Sequence, residues 1–530
     1  MPSNRMHSFR PPLLVLALAA ALAATPRAPQ AAVPPGAPAA AGPQVAWLEA
    51  AGDADVERAF AQGKAENKPV LVYWGAKWCP PCNQLKATLF NRQDFIERSK
   101  SVVAVHIDGD LPGAQKLGAR FKVRGYPTMI LFNTAGAEIT RLPGEADAPA
   151  VMNVLQMGLA GGRPVKAVLA DATAGKPLGA NDWRMLAFYS WDTDEAQLVS
   201  EGERAGLLAT LAAGCPAGEA EAAMRLRLKS LAASDEGQGV KADAALRAQV
   251  KALLADPVAS RAQMDMLVNF APEITRALAP APGAERQAVV AAFDAALVRL
   301  QADTTLSRAD RMGALVARVD LARVDQPKDR LVPKIPAPLL KQARDAAAQA
   351  DREITDGYER QAVISTAAYL LGEAGLWPES DALLKANLAK SHSPYYLMSH
   401  LGGNARKLGR NVDALAWYEK AYATSEGPAT RLQWGATYLT NLVELAPKDE
   451  AKIEKTAAQL IQEAGGQQGA FYERSARSMQ KMGDKLAAWN AKGEHKATVE
   501  RLRAQLAPVC AKLPAADPQR AACEGVLKKA

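Results

Sequence analysis

Apolar residues near the start of the folded part of this chain gather into strand-like runs. Pro69-Val70-Leu71-Val72-Tyr73-Trp74 and Val102-Val103-Ala104-Val105-His106-Ile107-Asp108 are short and continuous, the pattern of strands covered on both faces. A third run, Met129-Ile130-Leu131-Phe132, leads through Thr134-Ala135-Gly136, a hairpin turn, into Glu138 to Leu142. Between the runs the period becomes helical. Val56 and Phe60 mark a first helix with Asp53 as its cap, and Leu85, Leu89 and Phe90 continue a helix beyond Cys82. Asn91 caps a short helix holding Phe95 and Ile96, residues 112–121 form another, and Val151 to Met157 closes the set. This alternation, finishing in a hairpin and a helix, predicts a small layered α/β domain over residues 44–160.

Beyond Gly161-Gly162-Arg163-Pro164 the pattern changes. Residues 161–180 read as a linker, and 181–530 as an all-helical domain of alanine-rich amphipathic segments. Breaks fall at Pro216, Pro257, Pro272, Pro280, Pro282 and Pro333 to Pro338. Around 361–428 a weak internal repeat emerges. Leu401-Gly402, Gly409, Ala414, Tyr418 and Ala421, with Pro428 behind, follow Ala368, Leu371, Gly375, Ser380 and Leu384, with Pro394 behind. The offset is about 34 residues, the tetratricopeptide period, in which small residues let antiparallel helices approach and large ones fill the next groove. The region reads as a helical-repeat stack or bundle with tetratricopeptide-like helix pairs.

At 530 residues the chain is long enough for two to four domains, and 49% hydrophobic residues exclude a largely disordered protein. Arg5 and Arg10, the apolar run Leu13 to Ala24 and the small-residue site Ala21-Leu22-Ala23 predict a signal peptide over residues 1–23. An Ala/Pro-rich linker over 24–43 follows. The apolar run is shorter than the roughly 20 residues a membrane span needs, so stable membrane insertion is not expected. No cysteine stands at the cleavage point to carry a lipid anchor. The expectation is an exported protein of a bacterial periplasm. Of the net charge of +8, Arg5 and Arg10 contribute two, and no basic run interleaves with aromatics, so nucleic acid is excluded as a partner.

The five cysteines suit an oxidising compartment. Cys510 and Cys523 are close in sequence and read as a structural disulfide. Cys215 is left over, a semi-buried free thiol. Cys79 and Cys82 stand two residues apart where a buried strand turns into a helix. The first sulfur sits at a helix N-terminus, where unpaired N–H groups favour a thiolate, and the second can resolve a mixed disulfide. No second close cysteine pair or histidine cluster completes a four-ligand zinc site, so no metal is expected. No other cofactor is expected either.

Trp78-Cys79-Pro80-Pro81-Cys82 after a buried strand, with Gly125-Tyr126-Pro127-Thr128 after a second βα unit, resembles the thioredoxin family. The stretch Lys68 to Trp78 is especially similar to the reducing domain of membrane thiol:disulfide interchange proteins, and the resemblance covers roughly residues 45 to 160. It implies that Cys79 is the exposed nucleophile and Cys82 the buried resolving thiol. It further implies that Pro127 is a cis-proline facing the disulfide, that the backbone of Tyr126 binds the substrate strand, and that Trp78 is an apolar wall. The chain departs from the family at two places. The position of the family's buried acid falls on Tyr73, and that acid's lysine partner falls near Ala104, so proton transfer at Cys82 needs water or another group. His106 reads as a core or edge histidine.

The reading is an exported thiol–disulfide oxidoreductase, a reductase or isomerase. Its partners would be protein thiols and disulfides, a redox partner protein, and clients recruited by the helical domain. The competing reading is a non-enzymatic helical scaffold or chaperone in which the thioredoxin-like domain only docks partners.

Overall fold

The apolar runs pair edge to edge into one mixed sheet. The computed structural model describes residues 44–530 apart from 145, 195 and 235–237. The expected signal peptide over 1–23 and linker over 24–43 lie outside the described residues. In chain order the elements are β1 (Leu48–Glu49), α1 (Asp53–Glu66), β2 (Val70–Gly75), α2 (Pro80–Ala87), α3 (Gln93–Ser99), β3 (Val103–Asp108), α4 (Ala114–Phe121), β4 (Thr128–Phe132), β5 (Glu138–Leu142) and α5 (Ala148–Leu159). The strand order is β1-β3-β2-β4-β5. β2 lies parallel to β3 and antiparallel to β4, at the centre of the sheet.

Alternate residues of β2 serve opposite faces. Val70, Val72 and Trp74 pack with Val56 and Ala59 of α1 and Leu117 and Phe121 of α4. Leu71 and Tyr73 pack with Leu85 of α2, Phe95 of α3, and Val151 and Leu155 of α5. A strand covered twice must be apolar throughout, which is why the run shows no alternation.

Three local expectations need correction. β1 was not anticipated; it is only two residues long, paired through Leu48 to Val105 and Glu49 to His106, too short to carry a period. Asp53 opens α1 but does not cap it. The Asp55 carboxylate instead accepts from the backbone N–H groups of Ala51 (2.9 Å) and Gly52 (3.1 Å). Asn91 precedes α3 by a residue too many, and Arg92 holds the cap position.

The stretch 161–180 is not a linker. It carries α6 (Val165–Thr173) and leads into α7 (Ala180–Phe188). Val165, Val168 and Leu169, at helical spacing, pack against Trp183 and Leu186, while Met185 of α7 joins the core beneath the sheet. Arg141 of β5 is fully buried and ties the layers together. Its guanidinium donates to the carbonyls of Lys122 (2.7 Å) and Thr193 (3.1 Å) and pairs with Glu138 (2.8 Å). Residues 44–530 accordingly form a single unit.

From α7 onward every regular element among the described residues is helical. Two successive helix pairs occupy the repeat region: Gly357–Glu373 with Trp377–Asn387, and Pro394–Lys407 with Asn411–Thr424. Gly375 and Gly409 make the turns at φ +78° and +70°, a conformation glycine adopts without strain. A Cβ on Gly402 would lie 2.9 Å from the Tyr418 ring, so the small residue sets the helix separation. Near the C-terminus Cys510 and Cys523 are disulfide-bonded, with Cα atoms 5.5 Å apart. No helix among the described residues is long and apolar enough to cross a membrane.

Candidate active site

Cys79 is the N-cap of α2. Its sulfur accepts the N–H of Cys82 at 3.3 Å, closing the first turn. Pro80 and Pro81 fill the first two helical positions, where N–H groups have no intrahelical acceptor and proline's φ suits the turn. Asn83 braces the turn from below, donating to the carbonyls of Lys77 (2.9 Å) and Cys79 (2.8 Å). Cys79, Cys82 and Ala76 form a small apolar cluster to which Trp78 and Tyr126 are added. The Tyr126–Pro127 peptide is cis and leads directly into β4. Four of the residues singled out in the sequence thus meet around the two sulfurs, with Pro127 next in line. Cys510 and Cys523 belong to the C-terminal helices.

The exposure expected for Cys79 is not found. Its relative accessibility is 3%, and that of Cys82 is 0%. The cover comes from the helical region. Trp78 stacks on Tyr396 at 5.8 Å and meets Trp434 edge-on at 6.0 Å. Gln361 donates to the Trp78 carbonyl at 3.3 Å, and Lys77 pairs with Glu426 at 3.1 Å. The guanidinium of Arg474 lies over the rings of Trp78 (5.2 Å) and Tyr126 (4.9 Å). Its Nη2 binds the Asp110 carboxylate at 2.7 Å, and the Thr430 hydroxyl donates to the same oxygen.

This cover reverses the electrostatics expected of the first thiol. Burial pushes Cys79 well above the ordinary thiol range, reinforced by Cys82 and opposed by the Cys82 N–H and the Arg474 charge. Burial likewise raises Asp110, against the pull of Arg474 and Thr430. Tyr396 rises to about 12 through burial and its nearness to Cys79.

Sequence reasoning missed Asp110, Tyr396, Trp434 and Arg474. The last three lie hundreds of residues downstream, Tyr396 on a repeat helix and Trp434 and Arg474 on helices beyond the repeat, where amphipathic spacing marks helix packing and not contact with a distant segment. Beside the cover, a cleft of about 560 Å³ runs along Pro80, Pro81 and Gln84 and is walled by Tyr369, Tyr396 and Trp434. Cys215 is a half-buried free thiol whose Sγ–H points to the Glu219 carbonyl at 3.6 Å. No cluster of metal-ligating side chains occurs among the described residues.

Comparison with known proteins identifies the α/β layer at the level of the family. A family model described as a thioredoxin-like domain matches residues 56–158. The thiol:disulfide interchange protein DsbD of Pseudomonas fluorescens is 31% identical over 103 residues, which is 19% of this chain and 18% of that protein. A thioredoxin of Mycolicibacterium smegmatis is 32% identical over 93 residues, 18% of this chain and 80% of the relative. The chain therefore spans under a fifth of the DsbD proteins it matches. Among solved structures, the Chs5-Bch1 exomer cargo adaptor complex matches 77% of this chain and 83% of its own at 12% identity. Its TM-score of 0.19 carries no argument.

Proposed function

The chain belongs to the thioredoxin-like family through residues 56–158, and from that premise we propose that it is an exported protein-disulfide oxidoreductase, a reductase or isomerase. The observation that carries the reading is the pair of thiols at the start of α2, bridged by the Cys82 N–H to Cys79 Sγ contact and flanked by the cis Tyr126–Pro127 peptide.

In this reading the Cys79 thiolate attacks a client disulfide and forms a mixed disulfide, releasing one client thiolate. Cys82 then displaces the second client sulfur, leaving the Cys79–Cys82 disulfide, which a redox partner protein reduces again. Trp78 and the backbone around Tyr126 would seat the client strand. The helical region, with its tetratricopeptide-like pairs, would dock clients. A protein disulfide is too bulky to reach a sulfur that is 3% accessible, so Tyr396 and Trp434 must withdraw first.

The burial of Cys79 also favours a second reading, a helical scaffold whose thioredoxin-like domain only docks partners. Insulin reduction with a chemical thiol as electron source separates the two. The enzyme reading expects turnover in the full chain that Cys79→Ser abolishes with the fold retained. An absence of turnover, together with no exchange with glutathione at any redox poise, leaves the scaffold.

A further inference from the structure

Tyr73 is a buried polar side chain that neighbours both sulfurs. It sits on central strand β2, 2% accessible, with its ring clamped by Phe90 (4.8 Å, 71°), Trp47 (5.6 Å) and His106 (5.0 Å, 16°). From that clamp the phenol extends along its own strand over Gly75, two residues on and on the same face. A Cβ at Gly75 would collide with the hydroxyl and lie 2.7 Å from the ring carbon that bears it, so only glycine leaves this path open. The hydroxyl ends beside the Cys82 thiol. It makes no hydrogen bond of good geometry with any group in this reduced state.

A buried hydroxyl without a partner is rare in native proteins and calls for an explanation. Resting on the oxidoreductase reading, we propose that the Tyr73 hydroxyl is the hydrogen-bond donor to the Cys82 sulfur when that sulfur carries negative charge in the resolving step. In the closed structure Cys82 has no contact with solvent, and the Tyr73 hydroxyl is the donor already set beside it. Burial, and then the neighbouring Cys82, Cys79 and Asp108, drive Tyr73 well above the ordinary phenol range. Tyr73 therefore keeps its proton throughout and acts as donor, never as base. His106 faces the ring and not the hydroxyl, and its Nδ1 is engaged by Glu49 at 2.8 Å.

The step balances as follows. With Cys79 joined to client sulfur R, the Cys82 thiol gives its proton to the client thiolate already released. The Cys82 sulfur then attacks Cys79 Sγ and accepts the Tyr73 O–H bond while charged. The Cys79–Cys82 bond forms, and RS⁻ leaves with the electron pair of the broken bond and takes a proton from solvent. The client cystine is reduced by two electrons and the dithiol oxidised by two.

The test uses the full chain carrying Cys215→Ser and a chromogenic aryl disulfide in stopped flow. The first equivalent of aryl thiolate reports capture by Cys79, and the second reports displacement by Cys82. Tyr73→Phe preserves the ring and its packing. It is expected to leave the first rate unchanged and to slow the second about tenfold or more, the weight of a hydrogen bond to a charged sulfur. Where capture limits both signals, the mixed disulfide counted by intact mass after acid quench should rise by the same factor. Equal second-step rates, or equal intermediate levels, overturn the role of Tyr73. A parent protein that never releases a second equivalent overturns the oxidoreductase reading instead.

Discussion

Removing the Arg474 side chain should uncover Cys79. Arg474 bonds Asp110, and the two side chains are only 15% and 10% accessible. It also lies on the faces of both Trp78 and Tyr126. Deleting one partner of a buried ion pair costs about 3–5 kcal/mol. Part of that is recovered here, because an unpaired Asp110 in so buried a place takes up a proton instead of remaining charged. A net loss of about 2 kcal/mol in the closed arrangement remains, which raises the open population roughly thirtyfold. The assay is maleimide labelling of Cys79 in a Cys82→Ser, Cys215→Ser background, followed by intact mass. Labelling takes place in the open state, where the Arg474 field no longer acts on the sulfur, so the rate tracks opening. Arg474→Ala should therefore label about thirty times faster while circular dichroism stays unchanged. An unaltered rate, or a parent protein that already labels as fast as a free thiol, would refute the closed arrangement.

Two further outcomes follow from the helical region. Cys510 and Cys523 close a loop of sequence separation 13, which constrains the unfolded chain by about 3 kcal/mol. Replacing both by alanine should lower the opening free energy of the last helices by about that much in hydrogen exchange, and unchanged protection there would count against it. Asp320 is raised to about 7 by burial and the nearby Glu373 charge. The folded chain thus holds this proton up to about pH 7, whereas the unfolded chain releases it near the ordinary aspartate value of 3.8. Its contribution is fully present below that lower value and is lost as pH rises toward 7. Asp320→Asn should leave urea stability near pH 4 unchanged and raise it above pH 7 by roughly 2 kcal/mol, after discounting for residual solvent contact. An equal gain at both pH values would remove titration as the cause.

Much of the α/β layer was legible because its signals are local. A strand buried on both faces has to be apolar at every position, as β2 is, and helices packed on it have to repeat at helical spacing, as Val56 with Phe60 and Leu85 with Leu89 do. The short elements escaped. β1 has too few residues to show a period, and α6 hid among the glycines and prolines that made 161–180 look like a linker.

The chain by itself determined the two thiols, their spacing at a strand-to-helix turn, and the proline that follows Tyr126. Their environment was decided only when helices far downstream folded against them. A helix N-terminus favours a thiolate by about 0.3–1 kcal/mol, whereas burial can displace a titration by several pH units. The larger effect wins at Cys79, and it arises from Trp78, Tyr396, Trp434 and Arg474 meeting in space. Tertiary packing likewise set the Tyr73 hydroxyl beside Cys82, through a path that exists because Gly75 has no side chain to block it.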